Sequence, residues 1–169
     1  MGIETTFVES VKKQFQTYKS LGEKAIDQLI PNQLFVPMND DNVNSIAIII
    51  QHLHGNMLSR WTNFMMEDGE KKWRKRDEEF MSPPKKDKAE LMKKWNEGWQ
   101  CLFDALDSIK PEELLETIYI RNEGLSLMDA IHRQLAHYSY HVGQIVFYAK
   151  QLKSGEWKSL SIPKKKVNG

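Results

Sequence analysis

Apolar residues recur at helical spacing over four long stretches of the chain. In the first stretch, about 3–30, Phe7, Val11 and Phe15 are four residues apart, which is the spacing of one face of a helix. Similar patterns run over about 43–66, 87–109 and 125–152. The sequence therefore predicts four long amphipathic helices and very little strand.

The second of these stretches lacks the charged outer face of a surface helix. Arg60 is the only charged residue between positions 43 and 66, whereas a helix at the surface carries Lys and Glu on its solvent side. We therefore expect the second helix to be covered on most sides. Its N-cap is predicted to be one of three residues of a type that caps helices well, namely Asp41, Asn42 or Asn44.

Polar segments separate the predicted helices. Residues 33–41 are predicted to be a loop, and residues 67–86 a linker that ends where Asp87 caps the third helix. Residues 117–121 alternate as a short strand or extended arm would, and a turn is predicted at 122–124.

These connections bear on the architecture. Hairpins of an up-down bundle need only short loops, so the long linkers predict at least one crossover connection. The sequence thus predicts an all-α four-helix bundle that forms a single domain over 1–169. Within the tail, 153–169, the apolar part around Trp157, Leu160 and Ile162 is expected to dock, and the end to fray.

Composition excludes several classes of function. The chain has 169 residues, a net charge of +1 and one cysteine, Cys101. The near-zero charge argues against a nucleic-acid partner, and a single cysteine excludes an intrachain disulfide or a cysteine-rich zinc site. The longest apolar run, 46–50, is far too short to span a membrane. Without a signal peptide at the N-terminus, we expect a cytoplasmic protein.

Two histidines of the fourth helix have the spacing of metal ligands. His137 and His141 are separated by four residues, so both project from one face, one turn apart. The same stripe carries Gln134 and Gln144, which are polar but uncharged. His132 lies about 140° away around the helix and cannot join the pair. The spacing predicts that His137 and His141 bind one divalent metal ion.

A third ligand is expected from the second helix, where two histidines compete. His52 and His54 point about 160° apart, so only one of them can face the pair. The apolar face of the helix is centred closer to His54, whereas His52 shares a stripe of small polar residues with Asn56. Periodicity leaves the choice open, and two facing polar stripes are also compatible with a hydrated groove or a dimer contact.

Two segments together resemble a known superfamily. Ile50-Gln-His52-Leu-His-Gly-Asn56 and His137-Tyr-Ser-Tyr-His141-Val-Gly-Gln144 resemble the DinB/YfiT-like superfamily. Its pattern is a His-Leu on the second helix and a late His-x-x-x-His followed by Gly-Gln. The order and separation match over nearly the whole chain. The resemblance implies a four-helix fold and a divalent ion, often zinc or nickel, held by His52, His137 and His141.

The resemblance also implies a type of reaction. Some members are transferases in which a low-molecular-weight thiol attacks a small electrophile. A metal can lower the pKa of a bound thiol, so Cys101 is not required for catalysis and is expected to pack in the third helix. Asn56 and Arg60 are expected to bind a small-molecule substrate. Arg74 or Arg76 would hold its carboxylates, unless the linker that carries them is simply solvated.

A non-catalytic function is the alternative. In that case the chain is a dimeric helical bundle that uses the metal for structure or sensing. We expect a homodimer in either case, partly from the resemblance and partly because Trp61, Trp73 and Trp157 are predicted to be exposed. Motifs of three other enzyme classes are absent from the sequence: the Glu-x-x-His pairs of di-iron bundles, the Gly-x-Ser-x-Gly elbow and the phosphate-binding loop.

Overall fold

The chain is mostly helical, with one small sheet. A computed structural model describes residues 2–38 and 43–162. Over these residues it has four α-helices and two strands, joined by long connections that contain short 3-10 turns. The elements are α1 (Ile3–Ile26), α2 (Ile46–Trp61), α3 (Lys88–Ser108), β1 (Thr117–Ile120), β2 (Glu123–Ser126) and α4 (Leu127–Lys153).

Helix α2 is buried along most of its length, as its lack of charge predicts. Twelve of its sixteen residues are buried. The helix packs against α3 on one side and α4 on another, while α1 packs mainly against α4. The resulting core contains fully buried aromatic residues from two of the helices, namely Trp95, Trp99 and Tyr138. Polar side chains of α2 are therefore enclosed by protein.

The helix ends differ in part from those predicted. Asp87 caps α3 as expected, because its carboxylate accepts hydrogen bonds from two backbone N–H groups. Helix α2 is capped instead by Ser45, whose hydroxyl accepts from the N–H of Ile48 at 3.3 Å. The predicted cap Asn44 is therefore wrong, and the alternatives 41 and 42 lie outside the described residues. Helices α1 and α2 end four to five residues earlier than predicted.

A β-hairpin precedes α4. Strands β1 and β2 pair antiparallel, and both residues of their tight turn, Arg121 and Asn122, have positive φ, at 57° and 61°. Asp68 accepts hydrogen bonds from both of their N–H groups, at 2.9 and 2.7 Å. The predicted turn at 122–124 and the predicted helix start at 125 are therefore wrong, because the chain completes a second strand first.

The segments that flank the helices dock only in part. Leu34 and Phe35 are buried, in a 3-10 turn where a loop was predicted. In the tail, Trp157 and Leu160 pack against the core, whereas Ile162 is exposed, contrary to prediction. The predicted frayed end, 163–169, lies outside the described residues.

Trp61 also departs from prediction. Its side chain is buried, and its indole N–H donates to the Tyr138 hydroxyl at 3.1 Å. Of the three tryptophans expected to be exposed, only Trp73 is so, at 56%, since Trp157 is partly covered. No described helix has the length and hydropathy needed to cross a membrane.

Candidate metal centre

Helices α2 and α4 bring three histidines together. Each of His52, His137 and His141 offers one ring nitrogen, and these nitrogens all lie within 4.8 Å of one another. The Nε2 of His137 lies 3.3 Å from Nε2 of His52 and 3.2 Å from Nε2 of His141. Three imidazole nitrogens therefore converge on one small volume.

The outward ring nitrogens of two of these histidines are fixed by hydrogen bonds. His52 Nδ1–H donates to Glu79 Oε2 at 2.9 Å, and His141 Nδ1–H donates to Gln144 Oε1 at 2.8 Å. Both acceptors are oxygens without a proton, so both Nδ1 atoms carry the hydrogen. The Nε2 atoms of His52 and His141 therefore present lone pairs.

This tautomer pattern leaves the inner nitrogens short of protons. The Nε2 of His137 can donate a hydrogen to only one of its two neighbours. In at least one of the two Nε2–Nε2 contacts, two lone pairs therefore face each other with no hydrogen between them. A bound cation would satisfy all three. Zinc binds imidazole nitrogen at about 2.0–2.1 Å, so ligands at a tetrahedral angle stand about 3.3–3.4 Å apart. The observed 3.2 and 3.3 Å fit that spacing, and the cluster could hold a metal ion.

Burial keeps two of the histidines neutral. It is the main cause that lowers the pKa of His137 to about 3, with further lowering from the nearby His141 and His52. Burial likewise lowers the pKa of His141 to about 4, although the hydrogen bond to Gln144 opposes the shift. Neutral imidazole is the form that binds a metal.

Glu79 is held in place by a second residue. Arg74 donates to both of its carboxylate oxygens, from Nε at 2.7 Å and from Nη2 at 2.9 Å. Burial favours the neutral acid, but the hydrogen bonds from Arg74 and His52 outweigh it and lower the pKa of Glu79. The ionised carboxylate thus orients His52, as carboxylates commonly orient metal-binding histidines.

Glu79 was not predicted from the sequence. It lies in the 3-10 turn Arg76–Phe80, inside the linker that was expected either to hold carboxylates of a substrate or to be solvated. Its partner His52 is 27 residues away, so no helical or strand period links the two. The linker's dense mixture of charges gave no sign that one carboxylate turns inward.

His54 lies outside the cluster. Its Nε2 is 3.2 Å from Glu97 Oε2 of α3, and burial is the main cause that lowers its pKa. His132 is also outside, with its ring edge against Phe7. Of the two candidates on α2, the structure places His52, and not His54, beside His137 and His141.

A cavity of about 470 Å³ opens beside the three histidines. Asn56 and Arg60, the expected substrate-binding residues, both line it. The Oδ1 of Asn56 accepts a hydrogen bond from the Tyr138 hydroxyl at 3.0 Å. The Arg60 guanidinium donates to the Gly69 carbonyl and, at 3.2 Å, to Glu70. Both side chains thus line the cavity and also form hydrogen bonds within its wall.

Arginines that the sequence analysis did not single out also line this cavity. Arg121 comes from the turn between β1 and β2, and Arg133 from α4, one turn before His137. The expected Arg74 and Arg76 of the linker lie in the same wall. The position of Arg133, four residues before the histidine pair, is a helical signal that could have identified it.

The single cysteine does not line this cavity. Cys101 lies on α3, with its Sγ 3.7 Å from Thr62 Oγ1 and 3.9 Å from the Met57 carbonyl. Burial raises the pKa of the thiol, which makes it a poor nucleophile near neutral pH. The surroundings agree with a packing role.

Comparison with known families gives one match. The model of DUF1572, a family of proteins of unknown function, matches residues 2–166. The chain belongs to this family. The match includes every residue of the three-histidine cluster and of the cavity wall. No curated protein and no solved structure matches the chain, so its function has to be argued from the site.

Proposed function

We propose that this member of the DUF1572 family is an enzyme that uses one divalent metal ion, held by His52, His137 and His141. The observation that carries the proposal is the convergence of three Nε2 atoms while two Nδ1 atoms are tied outward. Hydrogen bonding among the histidines alone cannot satisfy that arrangement. Zinc or nickel suits a set of imidazole ligands.

An open coordination position supports catalysis over a structural use of the metal. Structural zinc sites have four protein ligands, whereas catalytic sites have three and leave a place for water or substrate. Among the described residues, the potential metal-binding group contains the three histidines and no fourth member. The cavity beside them offers room for a small molecule.

The resemblance to the DinB/YfiT-like superfamily suggests the reaction and the fold, a bundle with long crossover connections. The proposed reaction is the transfer of a low-molecular-weight thiol to a small electrophile. The bound metal would lower the pKa of the thiol. The S–H proton passes to solvent water, the sulfur forms a bond to the electrophilic carbon, and the leaving group departs with the electron pair of the broken bond.

The chain's own residues have supporting parts in this proposal. Glu79 and Gln144 hold the rings of His52 and His141 with their lone pairs inward. Asn56 and Arg60 line the cavity, where we propose that they contact the substrate. Neither residue needs to titrate for this purpose.

Metal analysis tests the proposal. Protein purified without an affinity tag is expected to carry about one divalent ion per chain. His137→Ala and His141→Ala each remove one of three ligands and should lower the metal affinity by two orders of magnitude or more. His132→Ala is the matched control, since it removes an exposed histidine of the same helix outside the cluster.

Unchanged metal content in folded His137→Ala and His141→Ala would overturn the proposal. A thiol-conjugation screen of the metal-loaded protein then separates the two uses of the metal. Turnover that the ligand variants lose supports the transferase. A bound metal that binds neither thiol nor water would instead indicate a structural or sensing use.

We also propose a homodimer, on a narrower basis than the sequence suggested. Trp73, within the linker, remains as a large exposed aromatic residue, whereas Trp61 is buried. Sedimentation at micromolar concentration should show two chains per particle. A monomer throughout that range would contradict the proposal.

A further inference from the structure

The arginines of this chain are confined to one place. The sequence contains five, and all of them line the cavity beside the three histidines. No lysine of the described residues lines it, although lysine is much the more common cation in the chain. Arginine differs from lysine in its planar fork of N–H donors, which fits carboxylate and phosphate groups in pairs. The lining residues are Arg60, Arg74, Arg76, Arg121 and Arg133.

The carboxylates nearby do not neutralise this set. Arg60 and Arg121 both donate to Glu70 Oε2, at 3.2 and 2.8 Å. Arg74 is bound to Glu79, which also accepts from His52. Three guanidinium groups thus share two carboxylates, and no Asp or Glu is among the described residues that line the cavity. The cavity wall therefore carries excess positive charge.

One arginine nitrogen in this wall lacks a partner. The side chain of Arg74 is almost fully buried, and its Nη1 makes no hydrogen bond among the described residues. Glu70 Oε1 lies 3.8 Å from it, too far for a hydrogen bond. Gln134, which is buried and lines the same cavity, has an unpartnered Oε1. Buried polar groups of this kind are costly unless a ligand or water satisfies them.

Three of the five arginines are partly exposed at the edge of the cavity. The side chains of Arg76, Arg121 and Arg133 are 48–55% exposed. Arg133 Nη1 has only a long contact, 3.5 Å, with the exposed Glu123, and exposed pairs of this kind contribute little. The guanidinium group of Arg133 can therefore turn to an anion at small cost. Arg121 uses its Nε for Glu70, and among the described residues its two Nη groups make no hydrogen bond and are available for an anion.

We propose that the molecule bound beside the three histidines carries an oxyanion, a carboxylate or a phosphate, which Arg121 and Arg133 bind at the edge of the cavity. Arg133 precedes His137 by four residues on α4, so its backbone lies about 6 Å along the helix from that of His137, and both side chains line the same cavity. The exposed ring of Tyr140 and the ring of Phe80 also line the cavity, which suits an organic body between the anion and the reacting atom.

This proposal rests on the proposed function only where it assigns the anion to the substrate of the metal centre. The anion site itself is a property of the arginines and can be measured without a metal. The test therefore starts with chelator-treated protein whose metal content has been checked. Inorganic phosphate and succinate serve as separate probes at constant ionic strength, and the affinity of each is obtained from the rise in Tm with concentration. The tighter of the two identifies the class of anion.

Arg133→Gln and Arg121→Gln are the test variants, since both residues are half exposed and removal leaves no buried charge. Each should weaken the better probe about tenfold, because a charge-assisted bond is lost. Arg133→Lys should recover only part of the affinity, since the charge remains but the fork does not. Lys150→Gln is the matched control, because it removes one exposed positive charge from α4 outside the cavity.

Equal affinity in wild type and both arginine variants would overturn the anion site. A loss that Lys150→Gln reproduces would do the same, because the effect would then be one of net charge. A second measurement, with zinc-loaded protein, tests whether the metal site and the anion site bind the same molecule. Succinate should bind more tightly with zinc present in wild type, and Arg133→Gln should weaken it there also.

These outcomes separate the two proposals. If the protein binds no metal, the phosphate and succinate titrations still decide the anion site by themselves. If metal binds and succinate affinity is the same with and without zinc, the arginines do not serve the metal centre. That result would overturn the assignment of the anion to its substrate.

Discussion

The two sides of α2 each place a histidine beside a carboxylate, with different results. His52 and Glu79 are 8% and 10% exposed, and the carboxylate is clamped by Arg74. His54 and Glu97 are 19% and 55% exposed, and within the described ranges 2–38 and 43–162 no other side chain hydrogen-bonds to that carboxylate. The two histidines are two residues apart on α2, and only His52 belongs to the three-histidine cluster.

The important difference is what each histidine's second nitrogen meets. His52 gives Nδ1 to Glu79 and directs Nε2 to His137. His54 uses its Nε2 for Glu97, which leaves that nitrogen unavailable as a ligand. A histidine becomes a candidate ligand when one ring nitrogen donates to a buried acceptor and the other points to further metal-binding side chains.

Alanine substitution of the two histidines should give the largest contrast. His52→Ala removes one of three ligands, so we expect the metal affinity to fall by two orders of magnitude or more. His54→Ala should keep the metal and lower the free energy of unfolding by about 1 kcal/mol or less, the value of a partly exposed ion pair. Metal analysis and urea unfolding of the same samples measure both effects.

Metal retained in folded His52→Ala, or lost in His54→Ala, would contradict the prediction that His52 is a ligand and His54 is not. Circular dichroism of both variants is the control for folding. The metal content of wild type, taken through the same purification, sets the reference.

The sequence alone left this choice between His52 and His54 open. The apolar face of α2 is centred nearer His54, but α2 is buried on most sides, so its hydrophobic face does not identify the inward direction. Polar residues on that helix are at least partly covered wherever they point. The resemblance of the two histidine motifs to a family favoured His52, and the contacts of His52 with the pair on α4 agree with its place in the cluster.

The long helices and the pairing of His137 with His141 could be predicted because they depend on short, regular spacings. The first strand of the hairpin was also predicted, at 117–121, but the second strand, the position of the turn and Glu79 could not be, because they depend on contacts between distant parts of the chain. Asp68 fixes the turn at Arg121 and Asn122 across more than fifty residues. The common location of the five arginines is likewise a result of the fold, since they come from four separate segments.

The two carboxylates allow a second, smaller contrast. Glu79→Gln keeps an oxygen for the Nδ1–H of His52 but removes the charge that faces Arg74. Loss of such a supporting group lowers metal affinity by about 10–100-fold. Glu97→Gln changes an exposed carboxylate and should leave metal affinity unchanged.

Competition with a chelator of known affinity measures both variants. Because Glu79→Gln also leaves the buried Arg74 without its partner, unfolding must be followed alongside. A variant that unfolds more easily but binds metal as tightly as wild type would show that Glu79 stabilises the linker and does not orient His52.

Two glycines provide the smallest and most selective test of the comparison. A Cβ at Gly55 of α2 would lie 2.7 Å from Cδ of Glu79, and so against its carboxylate. A Cβ at Gly98 of α3 would instead lie 3.2 Å from the backbone of His54 and 3.2 Å from Sδ of Met57. One substitution therefore presses on the buried pair, and the other on the side of α2 that carries His54.

Gly55→Ala must displace the Glu79 carboxylate, which two hydrogen bonds from Arg74 hold in place. We expect the metal affinity to fall several-fold with all three ligands intact. Gly98→Ala requires the His54 backbone or Sδ of Met57 to give way by a few tenths of an ångström. Because alanine also favours the helix, by about 1 kcal/mol, we expect only a small change in the free energy of unfolding, with metal affinity unchanged. If Gly98→Ala weakens the metal as much as Gly55→Ala does, the site responds to the position of the whole helix. If only Gly55→Ala weakens it, the position of one carboxylate decides how well His52 binds.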